Sequence, residues 1–436
     1  MLNRLDLRGM DLATDLSTVL PRPNIAGEGP LAAVREIIAE VRANGDESLL
    51  ALTERFDGVR LESLRVSGDA MDAAVASIKP ALRTAMETAI EGIESFHQHQ
   101  VRPPELIESP GMSIRAYQRP VRRAGLYVPG GRAEYPSTVL MTAVPARVAG
   151  VSEIALCVPP NSQDGGIAPS VLAAARLAGV HEVYAVGGAQ AVAAMAYGTE
   201  SIPAVDVIAG PGNIFVALAK QEVAGDVGIA AAFAGPSEVV VVADDSADPA
   251  FAAIDVILQA EHGPDGLAWL VTWDDEVAKS VCATGKKLLA DSPRAADVEA
   301  TLSEGGYVAI VDGPEAALAV VNAIAPEHLE LQCRDAQELA DQVDNAGAIF
   351  CGPYSPASLG DYVAGPSHVL PTFGSARFSS ALTVSDFVKD HHVVTVDEAG
   401  LARLGPHVIA LAEQEGLDAH AESVRMRLDR LNQGES

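Results

Sequence analysis

The feature that most limits the fold of this chain is a regular exchange of short apolar runs and alanine-rich stretches that begins at Gly125. The apolar runs have the length of strands, and each is followed by a stretch with helical spacing. Repetition of this kind is typical of a parallel sheet covered by helices on both faces. Candidate strands are 126–128, 154–158, 183–186 and 205–208, and candidate helices begin near Ser137, Pro169, Gln190 and Asn213.

The same pattern starts again after Gly235-Pro236, with candidate strands at 238–243, 267–272, 306–311 and 347–351. The sequence therefore predicts an α/β protein with two doubly wound domains. Hydrophobic residues make up 48% of the chain but aromatic residues only 4%. The cores must therefore be built from Ala, Val, Leu and Ile, which suits parallel sheets that are buried on both faces.

Segments with helical spacing flank the two sheets. We expect an N-terminal arm at 1–29, a first α/β domain formed by 30–126 and 238–381, and a second α/β domain at 127–237. The sheet pattern stops after residue 381, and 398–432 has the spacing of two amphipathic helices. We therefore expect a helical tail at 382–436, which needs another surface to bury its apolar face.

Charge and cysteine content restrict the partners and the compartment. With 30 basic and 59 acidic residues the net charge is −29, which argues against nucleic acid and anionic membranes as partners. The apolar runs are too short for a membrane span. Four scattered cysteines and an N-terminus without a signal-peptide pattern indicate a reducing cytoplasm.

Three glycine-rich turns, at 128–132, 187–190 and 210–213, follow candidate strands of the first sheet. Each lacks the G-x-G-x-x-G fingerprint of an ordinary dinucleotide site. A glycine-rich turn still allows a phosphate to approach the N–H groups of a helix N-terminus. Tight packing of a helix against its strand explains the same residues equally well.

Gln259 and His262 stand three residues apart at the end of a candidate helix that is stopped by Gly263-Pro264. That spacing places an amide oxygen and an imidazole on one helix face, as half of a metal site would require. A histidine in this position is also a common helix C-cap.

Two further segments carry acid and base side chains. Glu327-His328 follows a candidate helix. On a loop that faces a cleft the two side chains could share proton transfer, whereas at a helix end they would form a surface pair. The segment 352–372 is rich in Gly, Pro and Ser and contains Asp361 and His368. A long loop at the end of a strand is where α/β proteins commonly place a site, and Asp361 is suited to bind a cation.

Glu415 and His420 lie where the last candidate helix begins. His420 is either a surface residue or a ligand that joins the residues named above.

Five of these segments, in order along the chain, resemble the histidinol dehydrogenase family. They are Gly235-Pro-Ser-Glu238, Gln259-x-x-His262, Ala325-Pro-Glu-His-Leu329, the Asp361 to His368 loop and Glu415-x-x-x-x-His420. The resemblance runs from about Gly125 to His420, and the N-terminal segment GDESLLALTERFDG also fits.

The resemblance implies two incomplete Rossmann-like domains and a zinc enzyme that oxidises L-histidinol to L-histidine, the last step of histidine biosynthesis. Two NAD⁺ and one water are consumed. One Zn²⁺ per subunit is implied, with Gln259, His262, Asp361 and His420 as its ligands.

The implied roles extend to the remaining residues of the motifs. His328 acts as general base and Glu327 activates the water. The metal ligands and these two residues also contact substrate, together with Ser237, His368 and Glu415. NAD contacts are implied for Tyr127, Gln190 and Asn213. The family forms a homodimer whose exchanged tails bring Glu415 and His420 into the partner's site.

Two other functions fit parts of the same pattern. A related zinc and NAD enzyme could oxidise another small alcohol, such as a sulfonated diol, although Ser237, His368 and Glu415 together favour a substrate with an imidazole. A non-catalytic protein that binds a metal or a nucleotide is the alternative of a different class.

Overall fold

The chain forms two compact units, one of Met1–Gln100 with Val121–Phe387 and one of Val101–Pro120 with Val388–Ser436. The computed structural model describes residues 2–10, 16–21, 29–130, 133–161, 165–230, 237–261, 266–290 and 294–434. The predicted α/β class is confirmed, since the first unit contains two parallel sheets that are both covered by helices.

The five-stranded sheet of the first unit has the order β6-β5-β4-β7-β8, and its described pairs are all parallel. Counted from the first strand of the sheet this order is 3-2-1-4-5, as in a Rossmann domain that lacks its last strand. Its strands are β4 (Arg123–Tyr127), β5 (Glu153–Val158), β6 (Glu182–Ala185), β7 (Val207–Ala209) and β8 (Gly228–Ile229).

Both faces of this sheet are buried by helices. Leu126 and Leu156 point to one core, whereas their neighbours Tyr127 and Cys157 point to the other, as strand alternation requires. The first face is covered by α3 (Gly68–Ser77), α4 (Pro80–Gln98), α5 (Pro136–Val148) and α6 (Pro169–Leu177). The second is covered by α1 (Gly29–Asn44), α2 (Asp46–Asp57), α7 (Gly188–Tyr197) and α8 (Ile214–Val223).

The packing of α1 to α4 differs from the domain division expected from the sequence. The segment 30–126 was expected to join 238–381, but the buried residues of these helices, such as Val34 and Ile93, lie in the two cores of the five-stranded sheet. Helical spacing shows which face of a helix is apolar but not which sheet covers that face.

The six-stranded sheet of the same unit has the order β1-β11-β10-β9-β12-β13 and is also parallel. Apart from β1 (Asn3–Asp6), the order again corresponds to 3-2-1-4-5. The other strands are β9 (Glu238–Ala243), β10 (Leu267–Thr272), β11 (Gly306–Ile310), β12 (His328–Gln332) and β13 (Ala348–Cys351). Part of the N-terminal arm is thus an edge strand. With four residues this strand is too short to be predicted from its apolar pattern.

Helices cover both faces of this second sheet as well. One core contains α9 (Pro249–Ala260), α10 (Asp275–Ala290) and α11 (Ala295–Gly305), and the other contains α12 (Pro314–Ile324) and α13 (Ala336–Ala340). The helix α14 (Ala357–Tyr362) lies within the segment that was expected to be a loop.

The second unit combines an antiparallel sheet with two helices. Its sheet has the order β14-β3-β2, formed by β2 (Glu105–Ser109), β3 (Met112–Pro120) and β14 (Val388–Val396). The helices are α15 (Glu398–Gln414) and α16 (Asp418–Gly434), which agrees with the two helices expected within 398–432. The tail expected at 382–436 is therefore not purely helical, because it begins with a strand that pairs with residues 112–120.

Candidate functional site

The predicted acid and base lie at the amino edge of the six-stranded sheet. His328 is the first residue of β12, and Glu238 is the first residue of the adjacent β9. The chain reaches β12 abruptly, because Ala325 ends α12 in the left-handed conformation (φ 53°) and Pro326 follows it. The expectation that Glu327-His328 lies on a loop is thus half correct, since only Glu327 precedes the strand.

Glu327 and His328 are 6% and 5% exposed, which excludes the alternative of a surface pair. The backbone N–H of Glu238 donates to Glu327 Oε2 at 3.0 Å, and Ser237 bonds the same carboxyl. Burial raises the pKa of Glu327 to about 7. The carboxyl is therefore able to exchange a proton near neutral pH.

His328 lies between two carboxylates. Its Nδ1 is 3.7 Å from Glu327 Oε2 and its Nε2 is 3.2 Å from Asp361 Oδ1. Phe350 stacks on the ring at a centroid distance of 6.1 Å. Burial by itself lowers the pKa of His328, but the charges of the two carboxylates outweigh it and raise the pKa to about 9.

Asp361 and His368 come from the segment that follows β13. Asp361 is on α14, and His368 Nδ1 lies 2.9 Å from its backbone oxygen. His368 Nε2 lies 3.2 Å from Thr138 Oγ1 in the first turn of α5. His368 thus connects the amino edge of the six-stranded sheet with the first helix after β4 of the five-stranded sheet.

The expected metal ligands are only partly within the described residues. Gln259 is in the last turn of α9 and is 1% exposed, and its Nε2 has no hydrogen-bond partner among the described residues. Burial raises the pKa of Tyr362, and the charges of Asp361 and Glu261 add to the effect, so the end of α9 lies near α14. His262 lies outside the described residues.

The donor set fits a zinc ion as far as it is described. Gln259 supplies a buried amide oxygen and Asp361 a carboxylate, and oxygen and nitrogen ligands suit zinc. No group of three or more His, Cys, Asp or Glu suited to a metal occurs in the described part of the chain. Of the four expected ligands, Gln259 is an amide, His262 lies outside the described part and His420 belongs to the second unit. Only Asp361 therefore counts towards such a group.

Glu415 and His420 both belong to the second unit. Glu415 is the C-cap of α15, and His420 lies in the first turn of α16. Both side chains are exposed. The same unit also exposes apolar residues on its strands and helices, among them Leu106, Ile107, Val394, Leu411 and Met426.

The three residues expected to contact NAD lie at the carboxyl edge of the five-stranded sheet. Tyr127 ends β4, Gln190 is in the first turn of α7, and Asn213 is the N-cap of α8. This is the edge at which sheets with this strand order bind nucleotides.

These residues also make contacts within the chain. The N–H of Gly188 donates to Tyr127 Oη at 3.1 Å, and Asn213 Oδ1 accepts from the N–H groups of Phe215 and Val216. Gly210 has a φ of 111°, and a Cβ there would lie 2.1 Å from the oxygen of Tyr127. Close packing therefore requires a glycine at this position. Packing of a helix against its strand was the alternative to nucleotide binding for these turns.

Several residues around the site were missed from the sequence. Thr138 contacts His368, and Asp255, Glu330 and Gln332 form a buried polar cluster below His328. The cluster had a recognisable signal. Alternation of His328, Glu330 and Gln332 predicts one polar strand face, but only once the segment is known to be a strand.

Comparisons with known proteins agree on one family. A model of the histidinol dehydrogenase family matches residues 21–428. A relative from Synechococcus sp. named histidinol dehydrogenase is 49% identical over 405 residues, which are 92% of this chain and 93% of the relative. One of the same name from Gluconobacter oxydans is 45% identical over 432 residues, covering 98% of this chain and 100% of the relative.

A solved structure gives the same result. The crystal structure of histidinol dehydrogenase from Elizabethkingia anophelis superposes with a TM-score of 0.94 at 35% identity and covers 99% of both chains. Among the described residues, no helix has both the length and the apolar character needed to cross a membrane. The chain belongs to the histidinol dehydrogenase family, whose members are NAD-dependent oxidoreductases.

Proposed function

We propose that this protein oxidises L-histidinol to L-histidine with two NAD⁺ and one water, through a bound aldehyde, as a zinc enzyme. The observation that carries the proposal is the contact of His328 with Glu327 and Asp361 at one buried edge. Such an oxidation requires a base, a carboxyl group that activates water and a carboxylate that binds the metal. We assign these roles to His328, Glu327 and Asp361.

Zinc bound by Gln259, His262, Asp361 and the His420 of a second chain would orient the nitrogens of the substrate and polarise its alcohol. The neutral form of His328 removes the proton of the alcohol, and the neighbouring carboxylates stabilise the imidazolium that results. Glu327 takes a proton from the water that adds to the aldehyde. Ser237, His368 and Glu415 hold the substrate.

NAD supplies the hydride acceptor for both oxidations, and we assign its contacts to Tyr127, Gln190 and Asn213. The N-termini of α7 and α8 lie at this edge, and the positive end of a helix dipole suits phosphate. His368, which we assign to the substrate, contacts Thr138 next to the same edge. This contact supports a position of the nicotinamide beside the substrate.

We also propose that the protein is a homodimer in the cytoplasm. The exposed apolar residues of the second unit need a cover, and a second copy of the chain supplies an identical surface. All four cysteines are unpaired, which supports a reducing compartment.

The stoichiometry of the reaction tests the proposed function. Limiting L-histidinol should yield about two molecules of NADH per molecule consumed, because the aldehyde stays bound between the two oxidations. Zinc removal by a chelator should abolish the turnover, and added Zn²⁺ should restore it. Turnover of a sulfonated diol, with none of L-histidinol, would favour the related alcohol dehydrogenase instead.

Replacement of Tyr127 by Phe tests the cofactor assignment. The change removes the acceptor of the Gly188 N–H, and such a loss typically destabilises the affected state by about 1–3 kcal/mol. We expect the KM for NAD⁺ to rise about fivefold or more, with a small effect on kcat. Tyr197→Phe is the matched control, because that hydroxyl bonds Asp226 at the other end of α7. Equal KM values for the two variants would contradict the assignment.

A further inference from the structure

A buried polar cluster lies directly below the catalytic edge. Glu330 follows His328 by two residues on β12, so the two side chains share one strand face, and Glu330 is 1% exposed. Asp255 precedes Gln259 by one turn of α9 and is also buried. Gln332 Nε2 donates to Asp255 Oδ2 at 2.6 Å and to Glu330 Oε2 at 3.0 Å.

Gln332 thus brings the carboxyl groups of Asp255 and Glu330 together in a buried place. Burial raises the pKa of both groups, and the charge of Asp255 adds to the effect at Glu330, whose pKa is about 8. Burial therefore favours one neutral carboxyl group in the pair over two repelling charges.

Glu330 has a second contact that reaches another part of the site. Its Oε1 accepts the N–H of Ala357 at 2.8 Å. Ala357 is the first residue of α14, and Asp361 lies one turn further along the same helix. Asp361 Oδ1 returns to His328 Nε2 at 3.2 Å. Glu330, α14, Asp361 and His328 thus form a closed ring of contacts.

We propose that Glu330, linked to Asp255 by Gln332, is a positioning residue that holds α9, β12 and α14 in the arrangement required for zinc binding. The proposal rests on the function proposed above. Glu330 touches neither substrate nor cofactor. It fixes the start of the helix that carries Asp361, and through Gln332 and Asp255 it is linked to the helix that carries Gln259. Residues that orient metal ligands in this way commonly change metal affinity by about 10- to 100-fold when replaced.

The test compares zinc affinities of purified variants, measured by competition with a chromophoric chelator. Glu330→Met fills a similar volume but cannot accept the N–H of Ala357, and we expect its zinc affinity to fall about 10- to 100-fold. Glu330→Gln keeps an oxygen acceptor for Ala357, the contact that fixes the start of α14, and loses only the acceptor of Gln332 Nε2. We expect its affinity to remain within about threefold of the wild type.

A control separates positioning from general stability. Asp244 is a buried carboxylate directly after β9 that accepts the N–H groups of Ser246 and Arg334. Asp244→Asn should lower the melting temperature without changing the zinc affinity. Unchanged affinity in Glu330→Met, or an equal loss in the Met and Gln variants, would overturn the proposal whatever their melting temperatures are.

A second variant approaches the contact from the donor if Glu330→Met does not fold. Ala357→Pro deletes only the N–H at the first helical position, where proline is tolerated. The preceding Pro356 already has the extended conformation that a following proline requires (ψ 152°). Its zinc affinity should fall as in Glu330→Met, and wild-type affinity would overturn the proposal. The proposed function is judged separately, on zinc binding and turnover of the wild type alone.

Discussion

Replacement of His328 by Ala should lower kcat for L-histidinol oxidation by about a thousandfold, as expected for the loss of a general base. His328 is the imidazole placed between Glu327 and Asp361, and water is poorly able to replace it because the site is buried. The measurement is steady-state NADH production with saturating L-histidinol. Zinc content should stay near that of the wild type, since His328 is not among the proposed ligands.

His97→Ala is the control for this prediction. His97 is also fully buried, but its Nδ1 contacts the backbone oxygen of Ile93 within α4. Its loss should lower the melting temperature and leave kcat within about twofold of the wild type. A His328→Ala enzyme with kcat comparable to that of the His97→Ala enzyme would contradict the assigned role.

Replacement of His420 by Asn should remove zinc and activity while the chain still folds, because the side chain is exposed on α16 rather than part of a core. Gln259→Ala should be inactive for the same chemical reason. If each site takes His420 from the partner chain, a mixture of the two inactive proteins should regain about a quarter of the wild-type activity after subunit exchange. Half of the dimers are then mixed, and each has one complete site of two.

Metal content measured by atomic absorption accompanies the mixing experiment. The mixed sample should regain zinc in proportion to activity. A mixture that exchanges subunits, as shown by a mass-tagged chain, but stays inactive would mean that His420 serves its own chain or none. Mixing Gln259→Ala with Asp361→Asn is the control. In the proposed site these two residues come from the same chain, so every site of a mixed dimer lacks one of them and no complete site can form.

The two parallel sheets were predictable because their strands are short apolar runs between turn residues, and β9, β10 and β11 occur close to the expected bounds. β12 was not predicted, because Glu330 and Gln332 interrupt its apolar pattern with buried polar groups. β1 and β14 were missed for the opposite reason. They are a short edge strand and an exposed strand, and neither has the composition of a buried one.

The site was predictable to a different extent. Family motifs named Glu327, His328 and Asp361, and they do meet in the structure. Composition and spacing alone left His328 as a possible surface residue, because burial depends on the neighbours that the fold supplies. Thr138 and Glu330 were outside any motif, and only the tertiary contacts with His368 and Ala357 reveal them.

The residues assigned to NAD and the catalytic acid and base lie at opposite edges of their sheets. The residues assigned to NAD follow the carboxyl ends of β4, β6 and β7, whereas His328 and Glu238 stand at the amino ends of β12 and β9. Each half therefore depends on a different set of turns. Substitutions that retune the preference for a cofactor could accumulate in the turns of one sheet while the acid and base of the other remain unchanged. In such variants His368 and Thr138 are the residues through which a displacement of one half would reach the other.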